Sequence, residues 1–214
     1  MISVMYMCGR FMLDSDIEDI LRQYRIIKSQ IGEYEKGDFY PSQKAPIIVK
    51  DEGNLLKSAK WGFPLYDSKK LVINARAESI SEKQMFKNSF LSARCIIPAS
   101  LFYEWKEENR EKVKHEIYLK DKKIISLGGI FKLITDDKGS RELSFVIITT
   151  EANKYMKDIH SRMPLIIDDD ALDYWLDKST SMNTINEIIK FNASHELNIE
   201  KADKDKPFEQ LKLF

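Results

Sequence analysis

Arg94-Cys95-Ile96-Ile97-Pro98-Ala99-Ser100-Leu101-Phe102-Tyr103-Glu104-Trp105 is the stretch that decides the fold. It reads as two β runs, Arg94–Pro98 and Leu101–Trp105, rich in β-branched and aromatic residues and joined by a tight connection. Working outward, similar short runs lie on both sides. Ala45–Val49, Leu55–Trp61 and Leu71–Ala77 precede it; Glu116–Leu119, Ile124–Leu127, Ile130–Thr135 and Leu143–Thr149 follow. Asp51-Glu52-Gly53-Asn54 and Asp136-Asp137-Lys138-Gly139 have hairpin-turn chemistry. Asp14–Ile31 carries a helical period through Ile17, Ile20, Leu21, Tyr24, Ile27 and Ile31, with Asp14 or Ser15 able to cap it. Further helices are predicted over Glu151–Ile159, Asp169–Leu176 and Thr184–Phe191. Many closely spaced strands, with helices between and after them, predict an α+β fold with a curved, mostly antiparallel sheet flanked by helices.

Length and composition bound the rest. A chain of 214 residues, 43% of them hydrophobic, suits one domain and buries roughly 70% of its unfolded surface without disulfide or metal staples. Two distant cysteines form neither a disulfide framework nor a zinc ribbon. No apolar run approaches a membrane span, and no basic segment leads into an apolar signal core. A cytoplasmic, soluble, globular protein is the expectation, with a monomer as the default. Lys and Arg total 34, as do Asp and Glu, and a neutral chain argues against a generic nucleic-acid binder. The zero is a cancellation, however. Residues 60–132 carry +6 and residues 165–214 carry −5. That bias is either solvated surface or a basic region that meets an anion.

Several residues could carry chemistry. If Asn74-Ala75-Arg76-Ala77-Glu78 is a strand, Asn74, Arg76 and Glu78 share one face. That face is either a solvent edge or a site where a guanidinium fork meets an anion. Glu104 sits among Phe102, Tyr103 and Trp105. Apolar surroundings would raise its pKa toward that of a general acid; a strand end in water would not. His160, ahead of Arg162 and Pro164, reads as a cationic cap at a helix end, though it alone of the three His is flanked by apolar residues and an Arg. His115 and His195 lie among charged residues and read as surface. Cys95 reads as a small core residue. Cys8 stands before Gly9, which lets a ligand approach, and Arg10, which could lower the thiol pKa.

These pieces, in their order, resemble the SOS response-associated peptidase (SRAP) family, whose members include proteins that crosslink to abasic sites in single-stranded DNA. The resemblance rests on Met7-Cys8-Gly9-Arg10-Phe11, Trp61-Gly62-Phe63, Ile73 to Glu78, Arg94 to Ala99, Phe102-Tyr103-Glu104-Trp105, Thr149 to Asn153 and Ile159 to Pro164. It spans Cys8 to about Asn198. It implies a barrel-like sheet with a positively charged groove. It implies a reactive Cys8 supported by Asn74, Glu104 and His160, and DNA contacts from Arg10, Pro41, Trp61, Arg76, Trp105, Thr149 and Arg162. No metal or other cofactor is implied. The implied partner is single-stranded DNA bearing an abasic site, including at junctions, in the DNA damage response. The α-amine of an N-terminal Cys8 would attack the opened sugar's aldehyde, and the thiol would then close a thiazolidine. Glu104 would move the protons, His160 would assist sugar opening, and Asn74 would hold the sugar or the amine. Arg10, Arg76 and Arg162 would hold phosphates, and Trp61 and Trp105 offer stacking faces, unless Trp105 is core. A second implied activity is thiol autoproteolysis at Cys8.

Two departures from the family pattern bear on this. Residues 1–7 stand ahead of Cys8, whereas the reaction requires a free α-amine there. The expectation is that this segment is removed by self-cleavage or lies ahead of the true start, with 8–214 forming the domain. The third course is that it persists and blocks the reaction. Where the family carries an Asn-x-Ala-Pro-type stretch, this chain has Asp38-Phe39-Tyr40-Pro41, and a carboxylate repels phosphate. Competing readings are a thiol peptidase acting through Cys8 and a reversible reader of modified or junction DNA.

Overall fold

The computed structural model describes residues 8–32, 34–65, 68, 70–135 and 139–202. The first half runs β1 (Phe11–Leu13), α1 (Ile17–Gln23), β2 (Ile26–Gln30), β3 (Gly37–Phe39), β4 (Lys44–Lys50), β5 (Asn54–Trp61), β6 (Phe63–Pro64), β7 (Leu71–Val72), β8 (Asn74–Arg76) and α2 (Gln84–Ser92). The second half runs β9 (Arg94–Ala99), β10 (Leu101–Glu108), β11 (Glu111–Leu119), β12 (Ile125–Thr135), β13 (Arg141–Glu151), β14 (Arg162–Pro164), β15 (Ile166–Ile167), α3 (Leu172–Leu176), α4 (Met182–Phe191) and β16 (Leu197–Lys201).

The larger sheet has the order β14-β13-β12-β9-β4-β5-β2, and β5 also pairs in parallel with β13. That extra pairing closes β4, β5, β13, β12 and β9 into a barrel. Closure brings strands together tightly at Gly129. A Cβ there would lie 2.5 Å from Ile97 Cδ1 and 2.8 Å from the Val146 carbonyl oxygen, so only glycine fits. The second sheet, β16-β11-β10-β1-β3, is antiparallel throughout. Phe11 of β1 joins it to the barrel. Its ring lies 5.1 Å from Phe39 and 5.2 Å from Trp61, and Trp61 stacks on Phe145 at 6.1 Å. Each such aromatic pair contributes about 0.5–1.5 kcal/mol beyond its buried area. Arg94, fully inside, donates to the carbonyls of Phe90, Trp175 and Asp177 and so pins α2 and α3 to β9. This is the expected α+β architecture, mostly antiparallel and barrel-like.

Several local expectations do not hold. The Asp14–Ile31 helix stops after its first half. Tyr24 is buried with its hydroxyl 2.9 Å from Ser126, and Arg25 turns the chain at φ +48°. The β-branched pair Ile26-Ile27 then runs as β2 along β5, leaving Ile27 67% exposed. Glu151–Ile159 is not a helix, because Glu151 still belongs to β13. The Asn153 side chain accepts from the amides of Tyr155 and Met156 and shapes the following residues as turns. The helix over Asp169–Leu176 shortens to Leu172–Leu176. Ile124–Leu127 and Ile130–Thr135 merge into β12. His115 and His195 are buried rather than superficial, each with a ring nitrogen at a backbone carbonyl. The Asp136–Gly139 turn and residues 1–7 fall largely or wholly outside the described residues.

Candidate active site

Strand alternation sets the site. On β10, Phe102 and Glu104 share the inner face, and Arg10 stands opposite Tyr103, whose amide donates to the Arg10 carbonyl. The chain just before β1 therefore passes the Glu104 side chain. The Cys8 backbone nitrogen donates to Glu104 Oε1 at 2.6 Å. Cys8 adopts φ +38°, a conformation that costs a non-glycine residue free energy and marks a constrained position. Glu104 is 2% exposed. Burial pushes its carboxyl up to about 7, against smaller lowering by the amides of Cys8 and Trp105. The Cys8 thiol moves the other way from the sequence expectation. Burial, with Glu104 adding to it, raises its pKa well above the ordinary thiol value, and Arg10 does not activate it.

The second group is built on β13. Trp61 is fully buried and donates through Nε1 to the Ile73 carbonyl at 3.0 Å. It presents no stacking face to a base. Its place between Phe11 and β8 instead fixes Asn74 relative to the chain that carries Cys8. Asn74 and Arg76 of β8 pair in register with Ile147 and Thr149 of β13. Arg76 is exposed and lines an open cleft of about 510 Å³ with Glu151, Lys157, His160, Ser161 and Arg162. Arg162 is committed internally. Its Nη1 and Nη2 grip Glu78 at 2.7 and 2.9 Å, and Nη2 also reaches the Thr149 carbonyl at 2.7 Å. Thr149 is itself fully buried and holds Arg162, which lines the cleft, from behind.

The backbone biases the tautomer of His160. Its Nδ1 lies 3.0 Å from the Arg162 amide and 3.3 Å from the Arg162 carbonyl oxygen; the shorter amide contact favours a lone pair on Nδ1 and the proton on Nε2. Nε2 is buried with no hydrogen-bond partner among the described residues. Burial, against a raising contribution from the Arg162 backbone and with a further lowering by the Arg162 charge, brings the ring's pKa down. His160 therefore offers a neutral N–H to whatever enters, rather than a cationic cap.

Arg10 is also engaged. Its Nη2 meets Asp38 Oδ2 at 2.5 Å, and the guanidinium carbon lies 5.0 and 4.6 Å from the ring centres of Tyr40 and Tyr103. Pro41 follows in a half-buried turn, and Trp105 is half-buried on the outer face of β10. Motif reading assigns neither ion pair, Glu78 with Arg162 and Asp38 with Arg10. The expected strand through Glu78 ends at Arg76 and Glu78 falls in a 3-10 turn, so the shared face with Asn74 and Arg76 does not form; Asp38 stands out in the sequence only as a carboxylate where phosphate is expected. Among the described residues no helix is long and apolar enough to cross a membrane.

The family described as SOS response associated peptidase (SRAP) matches residues 7–205. The abasic site processing protein YoaM of Bacillus subtilis is 38% identical over 193 residues, covering 86% of this chain and 85% of that protein. The abasic site processing protein YedK of Escherichia coli is 30% identical over 192 residues, covering 85% of each. A crystal structure of a Bacteroides thetaiotaomicron protein superposes with a TM-score of 0.80 at 24% identity, covering 92% of this chain and 93% of that one.

Proposed function

The chain belongs to the SOS response associated peptidase family, and from that premise we propose that it captures abasic sites in single-stranded DNA covalently, through the nitrogen and sulfur of Cys8. The observation that carries the reading is the 2.6 Å contact between the Cys8 nitrogen and a buried carboxyl poised near neutral pH.

Once Cys8 is the first residue, its α-ammonium lies against Glu104, which takes a proton and leaves a nucleophilic amine. The amine adds to the C1′ aldehyde of the opened sugar. Glu104 returns the proton to the departing hydroxyl, water leaves, and an imine forms. The Cys8 thiol then adds across the C=N bond, its proton moving to nitrogen. The five-membered ring contains C1′, N, Cα, Cβ and Sγ, and the net loss is one water. The Nε2–H of His160 would donate to a sugar oxygen and favour the open form. Asn74 and the exposed Arg76 line the approach, with Arg76 facing a phosphate.

The same pair supports self-removal of residues 1–7. With the peptide intact, Sγ attacks the Met7 carbonyl carbon. The high thiol pKa means a base must take the sulfur's proton, and Glu104 is the adjacent one. Glu104 passes that proton to the leaving Cys8 nitrogen, giving a thioester that water hydrolyses.

The test mixes protein of known N-terminal mass with a single strand carrying one abasic site, then denatures it. A stable adduct is expected from wild type and none from Cys8→Ala. An adduct that survives Cys8→Ala overturns the proposal, as does reversible, salt-sensitive binding with no adduct.

A further inference from the structure

We propose that Asp38 acts as an internal stand-in for phosphate, holding Arg10 in the free protein and keeping its affinity for undamaged single strands low. This rests on the reading above, in which DNA lies over the Cys8 site.

Arg10 is two residues from the reactive cysteine, where a guanidinium would meet the lesion's flanking phosphate. Yet its side chain is only 10% exposed, and its Nη2 is held at 2.5 Å by the Asp38 carboxylate. The Tyr40 and Tyr103 rings both lie against the guanidinium, 5.0 and 4.6 Å from its carbon, and help hold it beside Asp38. Carboxylate and phosphate oxygens suit the same guanidinium fork, so only one of them can hold that edge. A phosphate arriving there must displace Asp38 and meets its negative charge on approach.

The fold lets Asp38 yield. It lies on β3, a three-residue strand at the edge of its sheet that, among the described residues, pairs with β1 alone. Asp38 is also more exposed than its partner, at 27%. A ligand tethered at Cys8 has a high effective concentration beside Arg10 and can win this exchange, whereas a passing undamaged strand does not. Retention would then come from the covalent bond and not from the charge of the surface. The neutral overall charge of the chain fits that division.

The experiment measures binding of an undamaged single-stranded oligonucleotide by fluorescence anisotropy over a salt series. The proteins are wild type, Asp38→Asn, Arg10→Gln and the double variant. Asp38→Asn is expected to bind about 3–10-fold tighter at low salt, with a salt slope steeper by roughly 0.7, the value of one added phosphate contact on a single strand. The double variant should lose that gain, and Arg10→Gln alone should change affinity less than twofold. Unchanged or weaker binding by a folded Asp38→Asn overturns the proposal. Should Asp38→Asn fail to fold, Arg10→Gln decides: a loss of fivefold or more means Arg10 already holds phosphate beside Asp38. Failure of wild type to capture an abasic strand would instead contradict the covalent function, which these comparisons do not touch.

Discussion

Replacing Glu104 by Gln is expected to stabilise the fold while removing its chemistry. The carboxyl is held at about 7 against an ordinary value of 4.5, mainly by burial. At 1.36 kcal/mol per pKa unit this is roughly 3 kcal/mol of preference for the neutral acid. Between those two pH values the folded chain keeps a proton that the unfolded chain has lost. Stability therefore falls as pH rises through that window, and the full penalty is present above it. Gln is neutral at every pH and retains an oxygen to accept from the Cys8 amide. The measurement is the thermal midpoint from pH 4 to 8.5, with Cys8→Ala as the background so that the Met7–Cys8 peptide stays intact. Other groups titrate alike in both proteins and cancel in the difference. Glu104→Gln should match its parent near pH 4. It should then gain as pH rises, reaching about 6–12 °C for a chain of this size. A difference that is flat with pH, or that shrinks as pH rises, would mean the buried carboxyl is not held neutral.

Other consequences can be checked as directly. Glu78→Gln should free Arg162 from its fork and lower stability by about 1 kcal/mol, modest because Glu78 is half exposed to screening water; the readout is the thermal midpoint. Gly129→Ala drives a methyl against the Val146 carbonyl and should cost about 1–3 kcal/mol in chemical denaturation. In nitrogen NMR of the free protein at pH 7, His160 should show a bare Nδ1 and a protonated Nε2. The opposite tautomer would contradict the Arg162 amide as its donor.

The strands of the barrel are legible in the sequence because β-branched runs and turn residues agree there, as at Ala45–Trp61. The Asp14–Ile31 helix misleads because Ile26 and Ile27 satisfy a helical period as well as a strand, and only the pairing with β5 decides between them. Glu104 is the instructive site residue. Its aromatic neighbours are equally compatible with water or core, and the β1–β10 pairing is what buries it against Cys8. Trp61 is the converse: an aromatic in a motif reads as a stacking face, yet the barrel needs it as filling between Phe11 and Phe145. The ion pair of Arg10 with Asp38 joins residues 28 apart and follows from no local pattern.

The most direct test of covalent capture is the mass of the adduct itself. Protein and abasic strand are allowed to react, denatured and digested, and the DNA-linked peptide is sequenced by mass spectrometry. The modification should sit on a peptide that begins at Cys8, with the mass of peptide plus strand less one water. A modified peptide that still carries Met7, or one linked through any other residue, would contradict the role assigned to the Cys8 amine.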